Sequence, residues 1–459
     1  VEIAGRKALV IGAARSGIAS SRFLIQRGAT VALNDQKPLR QWSNEALALK
    51  TEGVGLIDGD APAWLLDQVD LVVVSPGVPT KAIPIRYADR RGAEVIGEVE
   101  LASRFLRGRT VAITGSNGKT TTTSLIGEML KDAGLVVQVG GNIGTALISM
   151  IESSRDDGWN VVELSSFQLE TIVDFHPSVA AVLNVTPNHL DRYESLMDYA
   201  AAKHNIFRNQ TAADVAILNA DDEIVSSWAR GLRPHVVPFS VRRELDEGLF
   251  LRGDDLISHT RDGERVLMSR QAMKLRGTHN VENVLAALAA GLACGAAPQS
   301  LRETVRKFLP VEHRLEEVTE INGVRFINDS KATSVDATAK ALEAFSREAG
   351  KVVLILGGKG KHAPYAPLIE LIKALVRKMI LIGEDAGTIE AEIGSAAPYE
   401  HAGDLREAVQ KGFAAARPGD VVLLAPACAS FDMFESFEHR GRVFKSEVFR
   451  WAGRRRAET

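Results

Sequence analysis

Residues 109–124, RTVAITGSNGKTTTTS, constrain this chain more than any other stretch: a β-branched run, then a Gly-rich turn, then a helix that opens in hydroxyls. Val111, Ala112 and Ile113 read as a buried strand of a parallel sheet, hence an α/β chain. Gly115, Ser116, Asn117 and Gly118 let the backbone curl so that its N–H groups point inward. Lys119 adds positive charge for β- and γ-phosphates and Thr120 offers a hydroxyl to Mg²⁺. The helix running on through Thr121 presents its positive dipole end. The stretch predicts a phosphate cradle for ATP or a similar nucleotide. It departs from the full GxxxxGK[ST] pattern, because Ile113 stands five residues before Gly118. A bare GxxGKT string also occurs as an ordinary turn before a helix. The strand before it, with Leu125, Ile126, Met129 and Leu130 at helical spacing after it, favours the nucleotide.

Composition narrows what that nucleotide can be. A chain of 459 residues exceeds one core and predicts roughly two to four domains. The formal net charge of −3 provides no basic footprint for nucleic acid or an anionic membrane, so the ligand is a small molecule. Cys294 and Cys428 form neither a metal-ligand spacing nor a disulfide framework, which fits a reducing compartment. No apolar run is long enough to span a membrane and no signal-like segment opens the chain, so a cytoplasmic protein is expected. The first residue is Val1, which suggests processing or trimming of an initiator methionine.

Before the cradle, strands over 7–11, 30–33 and 70–74 with a helix after the turn GAARSG at 12–17 make a Rossmann-type βαβ unit. Ala14 occupies the second Gly position of GxGxxG, where a methyl group meets an approaching pyrophosphate, and this weakens an NAD reading. The unit is expected to hold a nucleotide-like group, with diphosphate near Arg15, Ser16 and Gly17. Asp35, at a strand end, suits ribose hydroxyls; a solvated turn aspartate is the alternative. The third strand runs into Ser75, Pro76 and Gly77.

After the cradle, a strand over 159–164 ends in Glu163, the usual place for a second Mg²⁺ contact beside a P-loop. Another over 180–185 is followed by His189 and Asp191, on the edge where α/β ligands bind. A lone histidine is more often packing than ligand. Residues 198–207 read as a helix in which Lys203 is, on residue grounds, a solvated lysine. Residues 233–274 read as small hairpins decorating the sheet. Asn280 and Asn283 lie at i, i+3 on a helix opened by HNVEN, where carboxamides could read an adenine edge or Asn280 could cap the helix. Leu309-Pro310 marks a boundary. The last part restarts with EHRLE at 312–316 and a hairpin at Asn322-Gly323. Strands over 324–327, 352–356 and 421–424 lead into NDSKATS, GGKGK and APACASFD; as parallel strands of one sheet they should open on one edge, facing the P-loop.

Taken in order, GSNGKT, GGNIG at 140–144, ELSSFQLE, NVTPNHLDRY, HNVEN, EHR, NDSKAT and PACASFD resemble the Mur ligases from end to end, and the shortened P-loop is that family's own form. The resemblance implies three domains: a Rossmann-like one at 1–98 for the UDP of the substrate, a central P-loop ATPase at 99–310, and a Rossmann-like one at 311–459 that closes over the site. It implies ATP, two Mg²⁺ sites, UDP-N-acetylmuramoyl-L-alanine and D-glutamate as ligands, and a monomer. The implied chemistry is phosphorylation of a carboxylate, attack by an amine on the acyl phosphate, and expulsion of phosphate. Lys119 and Thr120 fall on the phosphate and metal positions, Glu163 and His189 on further metal positions, and Lys203 on a carbamylated lysine. Asn142 matches a contact to substrate or to the transferring phosphate. Asn280, Asn283, Arg314 and Asp329 match ATP positions; Lys331, Thr333, Lys361, Ser430 and Phe437 match the D-glutamate pocket. Ser334 and Ala425 depart from the family's common Asn and Ser, and Cys428 reads as packing. Rivals are a sister ligase adding L-alanine, L-lysine or diaminopimelate, of which Lys361 disfavours the basic ones, a folylpolyglutamate synthase, an NAD-dependent oxidoreductase, and a P-loop kinase or nucleotide sensor.

Overall fold

A computed structural model describes residues 2–458 except 80, 81, 83, 84, 86–88, 90, 188–191, 262, 276, 310, 311, 347, 348 and 362, with side chains of the last helix to residue 453. Two compact units form: one of residues 1–185, 197–269 and 283–305, the other of 186–196, 270–282 and 306–459.

Among the described residues the first unit holds two sheets. The smaller is wholly parallel, in the order Gly55–Asp58, Thr30–Asp35, Lys7–Ile11, Leu71–Val74, Glu94–Gly97. Its central strands are the unbroken apolar runs that the sequence exposes, since both faces are covered. The two edge strands escaped that reading because they are part-exposed and rich in Gly, Asp and Glu.

The larger sheet has nine strands. Arg109–Thr114, which ends at the cradle, lies between Trp159–Glu163 and Val179–Val182, both parallel to it. Ile113 pairs with Glu163, so the acid emerges at the carboxyl edge beside the loop. The strand expected over 180–185 ends at Val182, and Asn184 instead turns toward the cradle. The segment 233–274 does not decorate the sheet but extends it. His235–Ser240 pairs in parallel with Val215–Asn219, Gly248–Arg252 follows in parallel, and only Asp255–Thr260 and Gly263–Ser269 close it as an antiparallel ribbon.

Among the described residues the second unit carries six strands in the order Glu316–Ile321, Val324–Asn328, Val421–Leu424, Val352–Gly357, Val376–Ile382, Tyr399–His401. Asn322 at φ 50° and Gly323 at φ 76° make the tight turn joining the first two. Side chains alternate across the sheet: Val352, Leu354 and Leu356 enter one core, Val353 and Ile355 the other. Val324–Asn328, Val421–Leu424 and Val352–Gly357 run parallel, so the three Gly- and hydroxyl-rich loops leave the same edge, as expected.

Candidate active site

The cradle in the first unit is built by its neighbours. Gly118 sits at φ 84° and caps the helix Lys119–Asp132; a Cβ there would lie 2.1 Å from Asn283 Oδ1, so Asn283 packs directly on the loop. Ser116 N–H donates to the Asn184 carbonyl at 2.9 Å and Asn117 N–H to Asn184 Oδ1 at 2.8 Å, while Asn184 Nδ2 returns a bond to the Asn117 carbonyl. This corrects the expectation that these amides point inward at a ligand. They hold the loop's shape, and the helix's positive end and Lys119 supply the field for an anion. Lys119 Nζ donates to the carbonyls of Gly115 (2.9 Å) and Ser116 (3.0 Å), which keeps the ammonium over the loop. Thr121 is buried beneath. Asn184 lies inside a quoted motif, but spacing alone does not reveal its clamp.

At the sheet edge Thr120 Oγ1 donates to Glu163 Oε2 and Asn142 Nδ2 to Glu163 Oε1, each at 2.8 Å. A hydroxyl and a buried carboxylate beside a phosphate loop suit a hard divalent cation, which takes oxygen ligands. Lys203 overturns its reading as a solvated lysine: it is 1% exposed, Nζ donates to the Gly115 carbonyl at 2.9 Å and lies 4.4 Å from the Tyr199 ring centre. Tyr199, Ala200, Ala202 and Lys203 are all buried, so the helix Leu196–His204 turns this face inward. Burial, and then the charge of Lys119, drive the Lys203 pKa well below the ordinary lysine value, with Glu163 pulling the other way. His189 and Asp191 lie outside the described residues.

Also within the first unit, a cavity of about 570 Å³ collects Arg15, Ser16, Asp35, Gly77, Asn142 and Gln168. The turn beneath is tight enough to need glycine, since a Cβ on Gly17 would fall 1.8 Å from the Gly12 carbonyl. Asp35 accepts N–H bonds from Ala13 (2.8 Å) and Lys37 (2.9 Å), so it shapes the cavity floor as well as lining it.

In the second unit, the loop edge is knotted by a residue that the sequence did not single out. Arg440 is 1% exposed and donates to Ser330 Oγ and to the carbonyls of Ser330, Cys428 and Ala429 at 2.9–3.2 Å. Burial lowers its pKa to about 10. The knot brings together neighbours of three predicted residues: Lys331 Nζ lies 3.7 Å from the Phe437 ring centre, Ser330 Oγ donates to the Phe437 carbonyl, and buried Ser430 follows Ala429. Reciprocal bonds between Lys359 and Ala429 (2.9 and 3.0 Å) set the GGKGK loop, with exposed Lys361, beside that stretch. Thr333 N–H donates to the Lys331 carbonyl at 2.8 Å. Arg314 stands between two left-handed residues, His313 (φ 65°) and Leu315 (φ 44°), with buried Asp329 in electrostatic reach. Burial raises the Asp329 pKa to about 7 against the pull of Arg314. Asn280 lines a cavity of about 970 Å³ with apolar Val281, Leu315 and Phe345 and with the polar Gln271, Lys274 and Arg325. Ser334 caps the helix Val335–Glu343, accepting from Ala337 N–H. Cys428 Sγ lies 3.0 Å from the Tyr365 hydroxyl, and burial raises its pKa to about 11, as for a packed thiol.

Residues 6–97 match the N-terminal domain of MurD-like Mur ligases, 113–291 the Mur ligase middle domain, and 313–428 the Mur ligase glutamate ligase domain. The chain is 49% identical to the UDP-N-acetylmuramoylalanine--D-glutamate ligase of Solibacter usitatus over 98% of both chains. It is 47% identical to that of Koribacter versatilis, over 98% of this chain and 99% of the relative. The fold is shared with the solved UDP-N-acetylmuramate-alanine ligase MurC from Thermotoga maritima (TM-score 0.59, 20% identity, covering 96% of this chain and 99% of that one). It is shared too with a pseudomurein peptide ligase type C from Methanothermus fervidus (TM-score 0.62, 18% identity, 97% and 100%).

Proposed function

The chain belongs to the Mur ligase family, and from that premise we propose that it joins D-glutamate to UDP-N-acetylmuramoyl-L-alanine, with ATP consumed to ADP and phosphate, in peptidoglycan precursor synthesis. The observation that carries this reading is the meeting of Lys119, Thr120, Glu163 and Asn142 at one strand edge beside the buried amine of Lys203. We place the working domains at 1–98 for the UDP-sugar, 99–310 for ATP and 311–459 for the amino acid. A monomer acting in the cytoplasm, where ATP and nucleotide sugars are at hand, completes the reading.

A carboxylate is a poor electrophile, and phosphorylation gives it a leaving group. Lys119 and the helix N-terminus hold the phosphates of ATP while the γ-phosphoryl group passes to the alanyl carboxylate, forming a P–O bond as the bond to ADP breaks. Arg15, Ser16, Asp35 and Gly77 hold the nucleotide-sugar, and Asn142 steadies its reacting end. Thr120 and Glu163, with His189 and a carbamylated Lys203, would hold Mg²⁺, which when bound offsets the gathered phosphate charge. Lys203 suits carbamylation because a depressed pKa keeps its amine neutral and nucleophilic toward CO₂. Asn280, Asn283, Arg314 and Asp329 would receive the nucleoside and phosphates of ATP. Lys331, Thr333, Lys361, Ser430 and the N–H of Phe437 would receive D-glutamate, whose neutral amine attacks the acyl carbon and expels phosphate. Acyl phosphates hydrolyse, so turnover calls for water to be excluded while the amine arrives.

The test is phosphate release from ATP and Mg²⁺ with UDP-N-acetylmuramoyl-L-alanine, comparing D-glutamate with L-glutamate, L-lysine and diaminopimelate. Release with D-glutamate alone, with a new UDP-linked product, is expected. Release with another amino acid would move the chain to a sister reaction, and silence with all four would overturn the ligase reading.

A further inference from the structure

Glu98 is a buried acid that no step above uses. It opens the helix Glu98–Ser103 directly after the strand Glu94–Gly97 and is 2% exposed. Its Oε1 accepts the N–H of Ile148 at 2.7 Å, with the Leu147 N–H also directed at the carboxylate. Its Oε2 has no hydrogen-bond partner among the described residues. The side chain lines a void of about 10 Å³, room for about one water, bounded by Ser75, Pro76, Val78 and Gln168. Those four also wall the nucleotide-sugar cavity.

The turn that Glu98 holds continues into the site. Arg15 Nη1 donates to the Gly144 carbonyl at 2.6 Å, Gly141 N–H to the Thr145 carbonyl at 2.8 Å, and Asn142 N–H to the Glu163 carbonyl at 2.8 Å. Residues 142–148 are thus fixed at three places: by Glu98 at one end, by Glu163 at the other and by Arg15 between. An acid is a costly choice for packing alone, since a buried carboxyl loses its hydration and an apolar side chain of the same volume would not. Burial pushes the Glu98 pKa up to about 7, with the Ile148 N–H, Arg15 and the Leu147 N–H opposing it.

We propose that Glu98 is a positioning residue for the nucleotide-sugar: by holding the N–H groups of Leu147 and Ile148 it sets the 142–148 turn, and through it the placement of Arg15 and Asn142 on the cavity wall. This rests on the reading that the cavity takes the UDP-sugar. It is tested apart from ligation by calorimetric titration of the full chain with UDP-N-acetylmuramoyl-L-alanine and, separately, with a non-hydrolysable ATP analogue. Glu98→Met fills about the same volume without an acceptor, with its folding checked by the ATP-analogue titration, and Glu98→Gln keeps the accepting oxygen. Glu98→Met is expected to weaken UDP-sugar binding about tenfold while ATP-analogue binding stays within about twofold; Glu98→Gln should return the UDP-sugar to within about threefold of the parent. Equal losses for both ligands, unchanged UDP-sugar binding, failure of Glu98→Gln to restore it, or no UDP-sugar binding by the parent chain would each overturn the inference. Binding without ligation would overturn the proposed reaction and leave Glu98 its role.

Discussion

Two ammonium groups, those of Lys119 and Lys203, donate to the same carbonyl of Gly115, and one of them is fully enclosed. Enclosure, and then the neighbouring charge of Lys119, outweigh the pull of Glu163 and favour the neutral amine, so Lys203 is primed to become something other than a cation. Lys203→Ala should lower turnover by about a hundredfold or more, because it removes the proposed carbamate ligand of the Mg²⁺ that would offset the phosphate charge. Parent protein stripped of CO₂ should regain activity on adding bicarbonate; activity indifferent to bicarbonate would count against the carbamate. Glu98 gives a pH signature of its own. Its folded pKa of about 7 lies above the ordinary 4.5, so both states hold the proton in acid. Between these values the unfolded chain ionises while the folded one resists. Stability therefore falls as pH rises through that window, by about 3 kcal/mol, and levels off above it. Glu98→Gln cannot ionise and should flatten this loss in urea midpoints compared at about pH 5 and about pH 8. Glu163, by contrast, was legible as a strand-end acid beside a P-loop, whereas Lys203 was picked out only by the family resemblance and Glu98 not at all: helical spacing and acidity do not reveal which side chains the tertiary fold will enclose.

At the scale of elements, the long helix Phe437–Glu458 shows how packing overrides propensity. Gly441 costs a helix about 1 kcal/mol relative to alanine, yet a Cβ there would lie 2.2 Å from His313 Nδ1. Gly441→Ala should therefore destabilise despite the better helix former, by about 1–3 kcal/mol of overpacking in denaturant titration. One residue earlier on the helix, Arg440 satisfies four acceptors at the loop edge. Arg440→Ala takes the donor from the buried Ser330 and Cys428 carbonyls, while Ala429 keeps its bond from Lys359, and should cost about 3 kcal/mol and raise the KM for D-glutamate more than that for ATP. Parallel changes in both KM values would assign Arg440 to the core alone. The strands bearing the loops were readable as apolar runs, and the Asn322-Gly323 turn as a hairpin. Edge strands such as Gly55–Asp58 and Val137–Gly141 were not, because half-exposed strands carry no continuous apolar signal.

Across the whole molecule, the described residues lining the cavity with Arg15, Asp35, Gly77 and Asn142 all belong to the first unit, so the proposed nucleotide-sugar should bind without ATP or D-glutamate. At about a hundred times its dissociation constant it should raise the stability of that unit by about 2.7 kcal/mol, read as a thermal shift. A shift appearing only when D-glutamate is added would contradict this. Chain order alone determined the α/β class, the three successive sets of strand-end loops and the types of group they carry. Those features follow from local periodicity and from the Gly, Lys and hydroxyl content of single turns. Tertiary structure decided which of them act together: Asn184 shaping the cradle, Thr120 and Asn142 sharing the Glu163 carboxylate, Arg440 binding two loops, and the enclosure of Lys203 and Glu98. Each of these depends on burial or on contact between residues distant in the chain, and both arise only when the sheets assemble.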